Sequence, residues 1–246
     1  MTHEGWYIET GDGQVLLLHD AKYGQIPIGA ALPDIRTLPY DKELEHSTVH
    51  YENGLLSLLP GLSIKLLPCE EHQAETAVVP DQWLECLENA LASQGRGAIR
   101  YTVCHELPRE DEPMTNAICQ RVDALRQALK MKAPEAVSEA IRRALGLGRG
   151  LTPGCDDWLV GYMYAAHRTA KLDEHRLIAR VIEDCAAEYT TAISAAYLLA
   201  AARGEYYEVL ERCLLNKDGG CIERLLGIGS SSGSDMLSGM IAACSD

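Results

Sequence analysis

The sequence predicts an α+β protein, in which an N-terminal, mainly antiparallel β unit is followed by a C-terminal all-helical unit. Two observations support this prediction. Turn residues that favour β-hairpins recur in the first part of the chain, and apolar residues take helical spacing after the charged, proline-containing segment LPREDEP at 107–113. We therefore expect a β-rich domain over residues 1–107 and a helical domain over residues 114–246. The 246 residues, 47% of them apolar, are sufficient for a substantial buried core.

Short apolar runs joined by turn residues predict the strands of the first domain. WYIET and QVLLLHD flank Gly11-Asp12-Gly13, and STVHY and LLSLLP flank Glu52-Asn53-Gly54, so both pairs are expected to form hairpins. Further strands are expected at SIKLLP, TAVVP and AIRYTVC. Together these runs favour a small barrel or sandwich.

Helical spacing of apolar residues predicts the helices. One is expected within the β-rich domain at 80–93, where proline favours the first turn and Trp83, Leu84, Leu87 and Leu91 would share one face. Glycine, aspartate and threonine residues at the boundaries of the later helices are ordinary caps. Those helices are expected at 114–131, 134–145, 157–168, 173–188, 190–203, 205–215 and 235–244.

Composition excludes several classes of function. The formal net charge of −14 opposes binding to nucleic acid or to anionic lipid, because both need clustered Lys and Arg. The first residues lack the pattern of a secretory signal, and no apolar run approaches the length of a membrane span, so a cytoplasmic protein is expected. Nine cysteines without C-x-x-C or Cys/His spacing are interpreted as reduced thiols rather than zinc ligands.

The helical domain contains a glycine-rich loop, LGLGRGLTPGCDDWLVG at 145–161, in which an apolar helical pattern follows the glycines. Glycines let the backbone approach a ligand closely, and N–H groups at a helix start are expected to be unpaired and to point outward. The loop lacks the Lys-Ser/Thr of a P-loop, and it does not follow a strand as a dinucleotide-binding loop does. We therefore expect a cradle for a small polar ligand or anion, with Gly150, Thr152 and Gly154 as binding residues.

A second segment, GIGSSSGSDMLSG at 227–239, repeats the design of the first loop. Asp157 and Gly161 match Asp235 and Gly239 at the same spacing, and one inserted residue in the first loop is needed to align both glycine pairs. Two such elements could face each other across a pocket, with Ser231, Ser232 and Gly233 as further binding residues. Short glycine and serine matches also arise by chance, which is the alternative explanation.

The adjacent carboxylates Asp156 and Asp157 have two interpretations. They either cap the helix, where negative charge is favourable, or bind a ligand together with Asp235. Carboxylates would repel a bound phosphate unless a divalent cation such as Mg²⁺ bridged them, whereas the NH₂ group of a carbamoyl or amide ligand can donate to a carboxylate. The pattern therefore favours a small carbamoyl or carboxamido acid and leaves the presence of a metal open.

Three further residues could carry chemistry. Cys155 lies near a helix N-terminus, which would lower the pKa of its thiol and make it a nucleophile, although the sequence shows no base for it. His46 and Ser47 could supply a proton carrier and a hydroxyl in substrate binding, and the alternative is a surface pair at a strand end. No Ser/His/Asp order indicates a hydrolase triad.

Four motifs resemble those of the AllH-like family, named for a subunit associated with oxamate carbamoyltransferase in anaerobic allantoin degradation. They are GxGLTPxxDDxLVG at 148–161, T-x-x-S-x-A-x-L at 191–198, G-x-S-S-G-x-D at 229–235, and HSTVHYENGLLSLLP from residue 46. The chain departs from the family pattern at Gly154-Cys155, where Ser-Gly is expected. It also carries Ser230 and Ser234, where a His and a bulky aromatic residue are expected.

The resemblance implies a cytoplasmic subunit of purine and allantoin nitrogen catabolism that acts with FdrA-like and AllG-like subunits. Such an assembly would convert oxalurate and phosphate into oxamate and carbamoyl phosphate, which requires an anion site and donors for the developing oxyanion. On this hypothesis Asp156, Asp157 and Asp235 are the candidate catalytic residues. The alternative is a non-catalytic scaffold or ligand-sensing subunit, because the sequence shows no clear pair of nucleophile and base.

Overall fold

Strands occupy the first part of the chain and helices the rest, which confirms the predicted α+β class. The computed structural model describes residues 5–10, 14–38, 48–59, 62–67, 76–100, 102, 112–217 and 219–245. The chain divides into two units, Met1–Ala74 and Glu75–Asp246. The domain division proposed at residues 107–113 stays a prediction.

The first unit begins with a three-stranded sheet. Strands β1 (Gly5–Glu9) and β2 (Val15–Asp20) form the predicted antiparallel hairpin, in which Trp6 lies opposite Leu18. Strand β3 (Gly29–Leu32) pairs with β2 in parallel. The sequence did not predict β3, because GAAL shows neither alternation nor β-branched residues.

A second sheet follows in the same unit. Strands β4 (His50–Glu52), β5 (Leu55–Leu59) and β6 (Leu62–Lys65) are antiparallel, and Asn53 and Gly54 turn the first hairpin with φ of 52° and 79°. This confirms the hairpin that Asn-Gly predicts. Side chains of both sheets enter one apolar core, as in a small sandwich: Trp6, Leu18, Ile35, Leu56 and Leu58.

Two of the predicted strands are wrong. Residues 76–80 (TAVVP) form an irregular segment, with Val78 83% exposed. In AIRYTVC, residues 98–100 and 102 are not strand: the backbone N–H and the hydroxyl of Thr102 both donate to the Ile99 carbonyl, as in a helical turn. Ile99 is fully buried within the helical unit. A short apolar run does not distinguish a strand from a buried turn, and none of the strands that the structure describes pairs with this run.

The second unit is helical. The 80–93 prediction is confirmed as α1, although this helix belongs to the second unit rather than to the β-rich one. The 205–215 prediction is confirmed only as the short α7, which continues into a π-helical turn at Arg212–Asn216, and α8 was not predicted. The helices are α1 (Asp81–Gln94), α2 (Pro113–Lys130), α3 (Pro134–Ala144), α4 (Gly154–Arg168), α5 (Leu172–Tyr189), α6 (Ala192–Ala202), α7 (Glu208–Glu211), α8 (Gly219–Leu226) and α9 (Ser232–Ser245). Within the described part of the chain, no helix combines the length and apolar character of a membrane span.

Helices α4 and α9 form the centre of this unit, and almost every residue of both is buried. They cross where two glycines replace side chains. A Cβ atom on Gly161 would lie 1.9 Å from the carbonyl oxygen of Met236, and one on Gly239 would lie 2.0 Å from that of Trp158. The two helices therefore contact each other backbone to backbone, and each contributes one glycine to the crossing.

Candidate functional site

The crossing of α4 and α9 brings the two predicted loops together. Asp157 and Asp235 are each the fourth residue of their helix and precede the crossing glycine by the same interval. The Thr152 and Ser232 hydroxyls lie 3.0 Å apart and form a hydrogen bond between the loops. The repeat between residues 148–161 and 227–239 therefore corresponds to two loop-helix elements that share one site.

Asp157 and Asp235, here called the acid pair, are buried and incompletely hydrogen-bonded. Asp157 is only 4% exposed to solvent and Asp235 only 2%. Among the described residues, Oδ2 of Asp157 and Oδ1 of Asp235 have no hydrogen-bond partner. A buried polar atom without a partner is costly, so these two oxygens mark where a ligand could bind.

Burial also changes the protonation of the acid pair. Loss of hydration raises the pKa of Asp235 to about 8, and the Ser231 hydroxyl opposes this rise. Loss of hydration raises the pKa of Asp157 well above its usual value, and the nearby charge of Asp235 raises it further. At pH 7 the pair therefore retains at least one proton, and the two carboxyls titrate as a coupled unit.

Asp156 has a different role from its neighbour. Its Oδ1 accepts the backbone N–H of Gly146 at 2.9 Å, and its Oδ2 accepts the hydroxyls of Thr190 at 2.5 Å and Ser194 at 2.7 Å. Both oxygens are thus occupied by the protein, and the carboxyl fastens the first loop to the segment between α5 and α6. The predicted side-chain cap is wrong, because the residue at the cap of α4 is Pro153, whereas both carboxyls do lie in the first turn of the helix as the charge argument expects.

Hydroxyls at the start of α6 support the same loop. Thr191 caps α6 by accepting the N–H of Ser194, and its hydroxyl donates to the Leu151 carbonyl at 2.5 Å. The T-x-x-S spacing at 191–194 is thereby explained: the threonine and the serine each hold one part of the loop. Thr190 acts with them and was missed, although a hydroxyl directly before the motif was a visible clue.

The loop glycines differ in what they do. Gly150 is exposed, has φ of 91°, and would have nothing within 4 Å of an added Cβ, so this position is open to a ligand. A Cβ on Gly154 would lie 3.1 Å from Oδ2 of Asp235, so this glycine faces the acid pair. A Cβ on Gly233 would lie 1.6 Å from the Leu225 carbonyl oxygen, so this glycine allows α8 and α9 to pack.

The expectation of a cradle of free backbone N–H groups is largely wrong. The N–H of Cys155 donates to the Leu147 carbonyl, and those of Asp156 and Asp157 donate to the Pro153 carbonyl. In the second element, the N–H groups of Gly233 and Asp235 are also bonded within the loop. Side chains therefore provide most of the chemistry of this site.

A third segment, residues 95–97, lies against the second loop and was not predicted. The N–H of Arg96 donates to the Ser234 hydroxyl at 2.9 Å. A Cβ on Gly97, whose φ is 81°, would lie 2.7 Å from Cβ of Ser231 and 3.2 Å from Oδ1 of Asp235. The only clue in the sequence was the pair of glycines in QGRG after α1.

The remaining candidates have separate outcomes. Burial raises the pKa of the Cys155 thiol, and the charge of Asp156 raises it further, which is opposite to the activation that a helix start would produce. His46 and Ser47 lie outside the described residues. Within the described part of the chain, no group of three or more His, Cys, Asp or Glu side chains could hold a metal ion. The bridging role considered for Mg²⁺ stays a prediction.

The fold and the site define an α+β protein whose helical unit encloses a pair of buried carboxylic acids between two loop-helix elements. Residues 144–244 match the family model described as oxamate carbamoyltransferase subunit AllH. This confirms the resemblance over a segment that contains both loops and the acid pair. No solved structure matches the chain.

Proposed function

We propose that this chain is a cytoplasmic subunit of an oxamate carbamoyltransferase-like enzyme in purine and allantoin nitrogen catabolism. It binds a small carbamoyl or carboxamido acid at the acid pair and acts with FdrA-like and AllG-like subunits. The observation that carries the proposal is the pair of buried carboxyls, each with one oxygen that lacks a partner among the described residues. The family match over the same segment supports it.

The chemistry of the acid pair complements that of an amide. A protonated carboxyl donates one hydrogen bond, and an ionised carboxylate accepts several. A carbamoyl group presents an NH₂ donor and a carbonyl acceptor side by side, so a pair that holds one proton can satisfy both. The Thr152 and Ser232 hydroxyls lie beside Asp157 and add adaptable donors and acceptors.

The same groups suit carbamoyl transfer. In the expected reaction a phosphate oxygen bonds to the carbamoyl carbon of oxalurate, the bond from that carbon to the oxamate nitrogen breaks, and the nitrogen takes up a proton. A protonated carboxyl of the acid pair supplies that proton and regains one from the attacking phosphate. The Thr152 or Ser232 hydroxyl beside the pair stabilises the negative charge that develops on the carbonyl oxygen. Asp156 acts as a positioning residue, because its oxygens are already occupied by the loop.

Replacement of each acid in the reconstituted complex tests the proposal. Asp157→Asn and Asp235→Asn keep the shape of the side chain but remove its transferable proton, so turnover of oxalurate and phosphate should fall by about 100-fold or more. Asp184→Asn, at an exposed position of α5, is the matched control and should leave turnover unchanged. Binding of oxamate to each purified variant and recovery of the intact complex are measured in parallel.

Wild-type turnover in both acid-pair variants, with the complex intact, would contradict the catalytic proposal. The scaffold or ligand-sensing alternative predicts that result. It is supported by one observation, namely that Asp156 and Cys155 take structural positions rather than reactive ones. Loss of turnover with retained assembly and retained oxamate binding would in turn exclude a purely structural role.

A further inference from the structure

A second group of buried polar side chains lies at the carboxyl end of α4, opposite the acid pair. It comprises Tyr164, His167, Arg168, Thr169 and Tyr206, and is called here the Arg168 cluster. Arg168 is only 6% exposed and Tyr164 is fully buried. Arg168 lies three turns of helix beyond Asp157, about 16 Å along the axis, so this cluster is separate from the first site.

Several polar atoms of the cluster lack a partner. Among the described residues, Nε and Nη1 of Arg168 and the hydroxyl of Tyr206 make no hydrogen bond, and the same holds for the Thr169 hydroxyl and for Nδ1 of His167. The Tyr164 hydroxyl lies against the guanidinium, which opposes the rise that burial causes in its pKa. Buried polar atoms without a partner are costly, and the concentration of five such atoms on and around Arg168 indicates that something else completes them.

The members of the cluster are in contact. The Arg168 guanidinium carbon lies 5.8 Å from the centre of the Tyr164 ring, and the Tyr164 and Tyr206 rings meet edge to face at 5.1 Å. The ring of His167 lies 5.7 Å from that of Tyr206 and stacks on His175 at 4.6 Å, and His175 in turn lies 6.5 Å from Tyr206. The aromatic rings therefore form a wall beside the guanidinium.

The cluster lies just beneath the surface of the helical unit. His167, Thr169 and Tyr206 are partly exposed, whereas Tyr164 and Arg168 lie behind them. The loop between α6 and α7 passes close by: a Cβ on Gly204 would lie 2.8 Å from Cε1 of His167. Because the polar atoms of these residues are themselves covered, an anion reaches them only if Tyr206 or this loop moves.

The charged groups around the cluster determine whether it would bind an anion or a cation. Burial lowers the pKa of His167 to about 4, so this imidazole is neutral at pH 7 and Arg168 is the fixed positive charge of the cluster. The neighbouring carboxylates are Glu174, which accepts the Tyr162 hydroxyl at 2.6 Å, and Glu211, whose charge acts on Tyr164. Neither is hydrogen-bonded to Nε or Nη1 of Arg168.

We propose that the Arg168 cluster is a second binding site, which takes a small oxyanion such as a carboxylate or a phosphate group. The guanidinium provides charge-assisted N–H donors, which bind oxyanions more strongly than neutral donors do. The hydroxyls of Tyr164, Tyr206 and Thr169 add O–H donors to the same anion. The site is independent of the proposed carbamoyl chemistry, since it shares no residue with the acid pair.

The test measures the thermal stability of the full chain with inorganic phosphate and, separately, with oxalate. A ligand that binds the folded state at ten times its Kd should raise Tm by about 3 to 6 °C. In Arg168→Gln the affinity for the active anion should fall by about 10- to 100-fold. Tyr206→Phe, which keeps the aromatic wall, should weaken binding by a smaller factor. The anion that acts at lower concentration identifies the ligand as phosphate-like or carboxylate-like.

Two controls separate this site from the first one and from general effects of salt. Asp235→Asn alters the acid pair, so a response that is lost in this variant but kept in Arg168→Gln would place the anion at the first site and overturn the proposal. Arg143→Gln removes an exposed arginine paired with Glu139 and should keep the full response to the anion. An anion response that survives Arg168→Gln, or no response to either anion in the wild type, would overturn the proposal. If Arg168→Gln does not fold, Tyr206→Phe and a Tyr164→Phe/Tyr206→Phe double variant provide the same comparison.

Discussion

The two ends of α4 carry buried polar groups of opposite charge. At the amino end, two carboxyl oxygens of the acid pair have no hydrogen-bond partner among the described residues. At the carboxyl end, two guanidinium nitrogens of Arg168 also lack a hydrogen-bond partner there. Between them the helix is apolar and closes against α9 at Gly161. One buried helix thus separates a place suited to an amide from a place suited to an oxyanion.

Asp156, on the same helix, is a buried carboxyl whose oxygens are all hydrogen-bonded. It is as deeply buried as Asp157, with 1% exposure against 4%, yet three donors occupy its oxygens. Unpartnered oxygens are therefore not a general feature of buried carboxyls here. The contrast between these neighbours is the strongest reason to interpret Asp157 as a ligand-binding residue and Asp156 as a structural one.

The largest expected effect comes from removing the Asp156 carboxyl, whose oxygens are fully hydrogen-bonded. Asp156→Ala leaves the Gly146 N–H and the Thr190 and Ser194 hydroxyls without their acceptor, so the free energy of unfolding should fall by about 4 kcal/mol. Urea denaturation measures the change. Asp184→Ala, at an exposed position, is the control and should stay within about 0.5 kcal/mol of the wild type. A loss of similar size in both variants would mean that Asp156 does not anchor the loop.

The next prediction concerns the glycine contact between α4 and α9, which lies between the two ends of α4. A methyl group on Gly161 would collide with the Met236 carbonyl, so Gly161→Ala should force α4 and α9 apart and lower the free energy of unfolding by about 3 kcal/mol. Because the same contact brings the two loops together, oxamate binding should weaken as well. At Gly227 an added Cβ would lie 3.3 Å from two backbone carbonyl oxygens, which is a tight contact but not a collision, so Gly227→Ala is the comparison variant and should cost clearly less. A well-folded Gly161→Ala variant with unchanged oxamate binding would show that the crossing does not set the site.

The sequence was sufficient to predict the amino end of α4 but not its carboxyl end. The matching intervals from Asp157 to Gly161 and from Asp235 to Gly239 lie within short segments, so a local comparison reveals them. Tyr206 meets Tyr164 and His167 only because α5, α6 and the loop after them return the chain to α4. No periodicity in the sequence carries that information.

Local patterns also failed where one pattern fits two environments. The apolar run at 98–104 was interpreted as a strand, but Ile99 is buried in a helical turn beside the site. The adjacent Asp156 and Asp157 could not be told apart, because consecutive residues of a helix point about 100° apart and their partners come from distant segments. The outcome depends on Thr190 and Ser194 for one and on Asp235 for the other.

A smaller effect should appear in the dependence of stability on pH. The carboxyl of Asp235 loses its proton near pH 4 when unfolded but only near pH 8 when folded, so between these values the unfolded state binds fewer protons. The free energy of unfolding therefore falls as pH rises, and Asp235 contributes about 1 kcal/mol per pH unit. Urea titrations at pH 5, 6 and 7 should show a shallower fall in Asp235→Asn than in the wild type or in Asp184→Asn. Equal slopes would mean that the amino end holds an ordinary carboxylate.

The smallest effect compares two tyrosines of α4. Tyr162→Phe removes the hydroxyl that donates to Glu174 at 2.6 Å and should cost about 1 to 2 kcal/mol of unfolding free energy. Tyr164→Phe removes a hydroxyl that lies against the Arg168 guanidinium and donates to no carboxylate among the described residues, so without an added anion it should cost less than Tyr162→Phe. With saturating phosphate or oxalate, the difference between wild type and Tyr164→Phe should grow, because only the wild type can donate this O–H to the anion. If both substitutions lowered the free energy of unfolding equally, with or without either anion, the Tyr164 hydroxyl would not take part in anion binding at the carboxyl end of α4.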